Sequence, residues 1–293
     1  MSTPFSKLID LMATLRAPNG CPWDRKQTHE SLKPYLLEEA YEVLETIDHR
    51  DAARLKEELG DVLLQVVFHS QIASEAGTFT IDDVVDHLAA KLVRRHPHVF
   101  GTQDEATKPA NGEQVLSQWE EIKRAERQAA GGAQSALDGV PKALPALLRA
   151  YQVQARASRV GFDWSHDATG LADVFKKIAE EIGELQDALA AAAAPAPSAA
   201  SQDDISGELG DLLFSLVNLA RFLKVNPEDA LRLSTNRFVD RFILVESQAA
   251  EQQRPLSGMT AAELDGLWET AKRRLRDAAV QQESARTTKD IPS

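Results

Sequence analysis

Two pairs of acidic residues carry the most chemistry in this sequence: Glu181 with Glu184, and Glu208 with Asp211 in the run Glu208-Leu209-Gly210-Asp211. Residues three apart on a helix lie on neighbouring positions of one face, so both members of each pair can point the same way. Four carboxylates with no cysteine nearby suit a hard, oxygen-liganded cation, Mg²⁺ or Mn²⁺, rather than zinc. A di-iron bundle would require Glu-x-x-His pairs, and neither half of the chain offers a histidine at that spacing. Mg²⁺ usually completes its shell with waters and substrate phosphates, so the implied ligand is a phosphorylated small molecule.

The same signature occurs earlier in the chain. Glu39-Ala40-Tyr41-Glu42 precedes Glu181-Ile182-Gly183-Glu184 by 142 residues, and Glu58-Leu59-Gly60-Asp61 precedes its copy by 150. An insertion rich in Ala and Pro, Ala190–Ser201, accounts for the eight-residue difference. Trp23 precedes the first pair as Trp164 precedes the second, and Trp119-x-x-x-Lys123 matches Trp268-x-x-x-Lys272. A lone E-x-x-E is most often a solvated helix face, and Gly210 alone could serve only close helix packing. Pairing, order and repetition with matching flanks favour a duplicated metal-binding unit, with Glu39, Glu42, Glu58 and Asp61 as a second, N-terminal set.

Helices must position these groups. Apolar periodicity predicts helices near 4–16, 30–49, 51–76, 80–95 and 113–128, then near 142–159, 168–192, 203–224, 227–252 and 260–279. Start signals stand at Thr80 with Asp83, at Asn226 before Pro227, and at Thr260 with Glu263. No alternating strand pattern occurs, so the expected class is all-α. The expected organisation is a helical unit over 1–130, a linker over 131–141 around Gly131-Gly132, a second unit over 142–280, and a disordered tail over 281–293. Pro195 and Pro197 end any helix entering the Ala/Pro insertion.

At 100° per residue, Val174, Ile178, Ile182, Leu185 and Leu189 form an apolar stripe, with Glu181 about 60° and Glu184 about 120° from its centre. Leu209, Leu212, Leu213, Leu216 and Leu223 form the next stripe, with Glu208 about 80° and Asp211 about 140° off centre. Packed antiparallel through those stripes, the two helices bring four carboxylates to one rim.

Cations and an aromatic ring extend the pattern towards phosphate. Arg237 and Arg241 share one helix face, as do Lys91 and Arg95 in the first half, and Arg suits bidentate phosphate contacts. Trp268 can lie against a base or ribose while Lys272, one turn on, reaches a phosphate. His69 sits in an apolar run as a core residue, and His96-Pro97-His98 marks a helix end. No nucleophile–base triad or glycine-rich phosphate loop occurs.

Composition narrows the class further. Among 293 residues, 33 basic against 45 acidic give a net charge of −12, without the basic patch that binding to a nucleic-acid polymer would need. No apolar run is long enough to cross a membrane, no secretory leader pattern appears, and the single cysteine, Cys21, cannot form an intramolecular disulfide. The expected location is the cytoplasm.

With these residues assembled, the chain resembles the MazG family of all-α nucleotide pyrophosphohydrolases over roughly residues 5–275. The resemblance rests on both carboxylate sets together with Cys21–Asp24, Phe68–His69, Arg95–Phe100, Gly161–Trp164, Asn218–Arg221, and Arg237–Phe238 with Arg241–Phe242. It implies hydrolysis of nucleoside triphosphates, ordinary or damaged, to the monophosphate and pyrophosphate. It also implies a homodimer of helical bundles whose C-terminal unit is the main hydrolytic site. By position it assigns Glu181, Glu184, Glu208 and Asp211 to Mg²⁺, and Lys177, Glu180, Arg237, Arg241, Trp268 and Lys272 to the nucleotide site. Glu180 or metal-activated water is then the base. One position departs from the family, which usually has lysine where this chain has Arg237. Tyr35 stands where Lys177 stands in the second half, so the N-terminal set lacks that cation. A non-catalytic nucleotide sensor or adaptor, and a narrower enzyme for dUTP, phosphoribosyl-ATP or an alarmone, remain open on sequence alone.

Overall fold

The computed structural model describes residues 3–101, 109–129, 135–193 and 200–289. They form α1 Pro4–Arg16, α2 Pro22–Lys26, α3 Lys33–His49, α4 Ala52–Glu75, α5 Ile81–Arg95, α6 Pro97–Phe100 and α7 Gly112–Ala129. These are followed by α8 Ala146–Arg159, α9 Ala168–Ala192, α10 Ala200–Phe222, α11 Pro227–Glu251, a short 3₁₀ turn at Leu256–Gly258, and α12 Ala261–Lys289. The described residues contain no strand, and the chain divides into two compact units, Met1–Gly132 and Ala133–Ser293. None of the described helices is long and apolar enough to cross a membrane.

Local chemistry sets the helix starts. Thr80 and Asp83 bond reciprocally at the start of α5, and Asn226 accepts from the Glu228 and Asp229 amides ahead of α11. Glu263 accepts from the Thr260 amide at 2.8 Å as α12 begins. Asp167 caps α9 through the Thr169 and Gly170 amides. A Cβ at Gly170 would stand 1.7 Å from the Ser165 carbonyl oxygen, so this capping turn requires glycine.

Three short elements escaped the periodicity: α2, α6 and the 3₁₀ turn. Each spans five residues or fewer, too short for an amphipathic repeat to register. At the other end, α12 continues to Lys289 through most of the segment expected to be an unstructured tail. Residues 281–289 contain no Gly or Pro to stop it, and Gln, Glu, Ala and Arg propagate a helix well. Residues 290–293, Gly131-Gly132, and Pro195 with Pro197 lie outside the described residues.

In the N-terminal unit, α3 and α4 form a hairpin. Arg50 turns the chain in the left-handed region (φ 53°), and Asp51 caps α4 through the Ala53 and Arg54 amides. A core of Met12, Leu32, Val67, Phe68 and Ile81 backs α4. Trp23 packs edge-on to Phe68 with Arg16 over the same ring, so Cys21–Asp24 and Phe68–His69 are two sides of one contact.

In the C-terminal unit, α9 and α10 pack along their length, with α8 against α10. Buried Gln154 of α8 donates to the Phe214 carbonyl at 2.8 Å. The Gly161–Trp164 loop turns at Gly161 (φ 88°) and is tied to α10 by Asp163, which pairs with Arg221. Helices α11 and α12 pair around Val245, Ala249, Leu267 and Ala271.

Candidate functional site

Hairpin packing of α9 on α10 brings three of the four expected C-terminal carboxylates together. One oxygen from each of Glu181, Glu184 and Glu208 lies within 4.8 Å of the other two. Asp211, one turn beyond Glu208, is exposed and outside this trio. In the N-terminal unit the trio is Glu39, Glu58 and Asp61, with Glu42 outside it. The two trios share two corresponding positions, Glu39 with Glu181 and Glu58 with Glu208, and differ in the third member, Asp61 in one and Glu184 in the other.

The helix faces are rotated from the sequence expectation. Glu181 was placed at the flank of the α9 stripe, yet it is only 3% exposed and lies on the buried face with Val174 and Ile178. Ile182, expected near the centre of that stripe, is 43% exposed. On α10 the buried residues are Ser215, Val217 and Asn218, whereas Leu209, Leu213 and Leu216 are exposed. Leu59, Leu63 and Val66, their counterparts on α4, are exposed as well. A periodic pattern identifies an apolar stripe but not which partner covers it, so packing within the chain chose a different face.

Burial and mutual repulsion govern the electrostatics. The Glu184 carboxyl is raised above its ordinary range by burial and then by the charges of Glu181 and Glu208, with Lys177 opposing. Glu39 is raised by burial, then by Asp61 and Glu42. Glu58 is raised by burial and then by Glu42, against Arg54. Glu181 Oε2 is buried without a hydrogen-bond partner, while its other oxygen lies 2.7 Å from Lys177 Nζ. A buried carboxylate oxygen lacking a donor beside two further carboxylates is a costly arrangement that a divalent cation would relieve, so the residues present fit Mg²⁺ or Mn²⁺.

Lys177 also bonds Glu180 at 2.7 Å, and this partner lowers the Glu180 carboxyl. Glu180 is exposed and absent from the carboxylate trio.

The remaining predicted residues gather on α11 and α12. Arg237, Arg241 and Lys272 line one open groove together with Arg273, Arg276, Asp240 and Glu269, and Glu269 pairs with Lys272 at 2.7 Å. The Arg241 guanidinium lies 5.7 Å from the Trp268 ring centre, and Phe238 packs against the same indole. Among the described residues, no hydrogen bond or ion pair joins these cations to the α9–α10 carboxylates. Arg273 and Arg276 were missed, although the basic run following Lys272, with Arg276 four residues on, was the available signal.

The other expectations resolve simply. His69 is part-buried and bonded to His29 through their Nδ1 atoms at 2.8 Å, with the rings stacked, so it has a partner. His96 falls between α5 and α6, at the expected helix end. A Cβ at Gly60 or Gly210 would meet nothing within 4 Å, so close packing inside the chain explains neither glycine.

Residues 27–100 and 170–242 each match the MazG nucleotide pyrophosphohydrolase domain. The chain is 47% identical over 269 residues to the "Nucleoside triphosphate pyrophosphohydrolase/pyrophosphatase MazG" of Thermotoga maritima, covering 92% of this chain and 95% of that protein. It is 42% identical to the "Nucleoside triphosphate pyrophosphohydrolase" of Escherichia coli K12, covering 92% and 97%. It is 44% identical to the "Uncharacterized protein YabN" of Bacillus subtilis, of which it spans 51%.

Proposed function

Because the chain belongs to the MazG nucleotide pyrophosphohydrolase family, we propose that Glu181, Glu184, Glu208 and Asp211 form its working metal centre and that the α11–α12 groove holds the substrate phosphates. The chain is a nucleoside triphosphate pyrophosphohydrolase, releasing pyrophosphate and leaving the nucleoside monophosphate. The observation that carries the placement is Glu181. It is buried to 3% exposure, has one oxygen without a donor, and sits beside Glu184 and Glu208.

Mg²⁺ held by Glu181, Glu184, Glu208 and Asp211 would neutralise charge on the phosphate oxygens during water attack at the α-phosphorus, and Mn²⁺ would suit the same donors. Arg237, Arg241 and Lys272 hold the phosphate chain, and Trp268, already packed against Phe238 and Arg241, offers a flat apolar surface to the nucleoside. Arg237 keeps the charge of the family's usual lysine and adds a fork that can grip two phosphate oxygens. Lys177 transfers from Glu181 to a phosphate oxygen as substrate arrives. That transfer also frees Glu180, whose basicity the ion pair suppresses, to accept a proton from the attacking water.

The working form is a homodimer. Leu209, Leu213 and Leu216 are exposed at 47%, 45% and 43%, and Leu59, Leu63 and Val66 at 51%, 39% and 38%. The same three repeat positions present an apolar strip in both units, and a second copy of the chain is the partner that would cover it.

Product analysis tests the reaction. Purified protein with Mg²⁺ and ATP, dATP or an oxidised purine triphosphate yields equal amounts of monophosphate and pyrophosphate. Orthophosphate and a nucleoside diphosphate as first products would place the attack on the γ-phosphorus and overturn this reading.

A further inference from the structure

The two cationic helix pairs correspond residue by residue, with the charge altered at two positions. Aligned on their capping residues, Thr80 and Asn226, α5 and α11 place Lys91 opposite Arg237, Arg95 opposite Arg241, and Arg94 opposite Asp240. Aligned on their tryptophans, α7 and α12 place Trp119 opposite Trp268, Lys123 opposite Lys272, and Glu126 opposite Leu275. The first half therefore keeps the cations and the indole of the second. It carries a carboxylate, Glu126, where the second half has an aliphatic side chain, and a cation, Arg94, where the second half has Asp240.

That carboxylate sits on the arginines. Glu126 accepts from Arg94 Nε at 2.6 Å, from Arg95 Nη2 at 2.6 Å and from Arg95 Nε at 3.2 Å. Side chains of Arg95 and Glu126 are about three-quarters buried, at 25% and 24% exposure. Two arginines fork onto one oxyanion, the geometry with which guanidinium groups grip phosphate. In the second half, among the described residues, neither Arg237 nor Arg241 has a carboxylate partner. Leu275 there lines the groove without competing for either.

We propose that the N-terminal unit contains a second phosphate site for a nucleoside triphosphate, on α5 and α7, held closed by Glu126, whose carboxylate takes the position of a phosphate between Arg94 and Arg95. The inference rests on the reading of the α11–α12 groove as the phosphate site of the C-terminal unit. A triphosphate entering the first half must displace Glu126 from both arginines and then tolerate its charge nearby. In the second half Glu269 engages Lys272 at 2.7 Å, and among the described residues no carboxylate engages Arg237 or Arg241. The pair persists across the working pH range, because hydrogen bonds from Arg95 and then Arg94 hold the Glu126 carboxyl down to about 2. Tyr35 stands where the second half has Lys177, so opening the site restores binding more than turnover.

Calorimetric titration of the full-length chain with Mg²⁺ and a non-hydrolysable α,β-methylene triphosphate reads the number of sites. Wild type binds one nucleotide per chain. Glu126→Leu, which copies the second half, binds two, as does Glu126→Gln, which keeps the side-chain shape and guards against a folding defect. Adding Arg95→Ala to either variant returns the count to one. One site per chain in both Glu126 variants, or two in the wild type, overturns the masking. Arg241→Ala in the wild-type background separates the supporting assumption: it abolishes the single site if the α11–α12 groove binds phosphate, and leaves the count at one if that reading is wrong.

Discussion

Lys177 Nζ lies 2.7 Å from carboxylate oxygens of both Glu180 and Glu181, so the cation assigned to the nucleotide also holds a residue assigned to the metal. These two tasks compete. An ammonium and a divalent cation cannot both make full use of the same Glu181 carboxylate, and a substrate phosphate gives Lys177 somewhere else to go. Under the proposed assignment, the contact links metal binding to substrate binding.

Replacing Lys177 with alanine separates the two effects. The variant binds Mg²⁺ more tightly in the absence of nucleotide, because Glu181 loses its competing partner. Its kcat/KM falls roughly 10- to 100-fold, the equivalent of ~1.5–3 kcal/mol for one charge-assisted phosphate contact. Mg²⁺ titrations with and without nucleotide read both quantities, and weaker apo binding of Mg²⁺ by the variant would contradict the competition.

The proposed placement of the hydrolytic centre predicts that the two carboxylate sets are unequal in use. Glu208→Gln lowers pyrophosphate release by more than ~100-fold because it removes a metal ligand at the proposed hydrolytic centre. Glu58→Gln leaves most of the activity in place. Initial rates on ATP decide the matter, and equal losses in both variants would move catalysis to both units.

The raised Glu184 carboxyl predicts how Mg²⁺ stabilises the fold. A carboxyl whose folded-state value is raised binds its proton more tightly when folded, so its contribution to stability is lost as pH rises through that value. Mg²⁺ offsets the repulsion but must displace the proton, so its stabilising effect grows with pH. Added Mg²⁺ raises the melting temperature more at pH 7.5 than at pH 5, roughly, and a Glu184→Gln variant flattens that dependence. A Tm shift from Mg²⁺ that is independent of pH would count against Glu184 as a ligand.

Asp163 and Arg221 are each 9% exposed and bonded to one another at 2.7 Å, with Asn218 sharing the guanidinium. Burial alone would raise the Asp163 carboxyl, but the Arg221 hydrogen bonds and charge win and leave it lowered. Its contribution to stability is present above the unfolded-state value and disappears as pH falls through the folded one. Asp163→Ala leaves a buried guanidinium unpaired and costs ~3–5 kcal/mol, measured by denaturant unfolding at neutral pH. Asp163→Ala together with Arg221→Met recovers much of that loss.

Charges placed on the exposed strip test the dimer. Leu213→Asp, and separately Leu63→Asp, shift the chain towards monomer in sedimentation equilibrium while preserving the helical circular dichroism spectrum. A dimer indifferent to both would require another interface.

The sequence by itself determined the long helices, their capping pairs and the duplication, because these follow from local chemistry. Capping pairs such as Thr80 with Asp83 act within one turn, and the spacing of Glu181 to Glu184 and of Glu208 to Asp211 repeats wherever a helix exists. Carboxylates without cysteine likewise set the expectation of an oxygen-liganded cation. Only the tertiary structure decided which face of α9 is buried, since packing on α10 turns Glu181 inward and leaves Ile182 outside. It also decided that Asp211 and Glu42 stand outside their trios, and that Glu126 closes on Arg94 and Arg95 from 32 and 31 residues away. Periodicity reports that a face is apolar or charged. Which neighbour that face meets depends on helices distant in sequence, and burial, ion pairing and carboxyl shifts follow from that meeting.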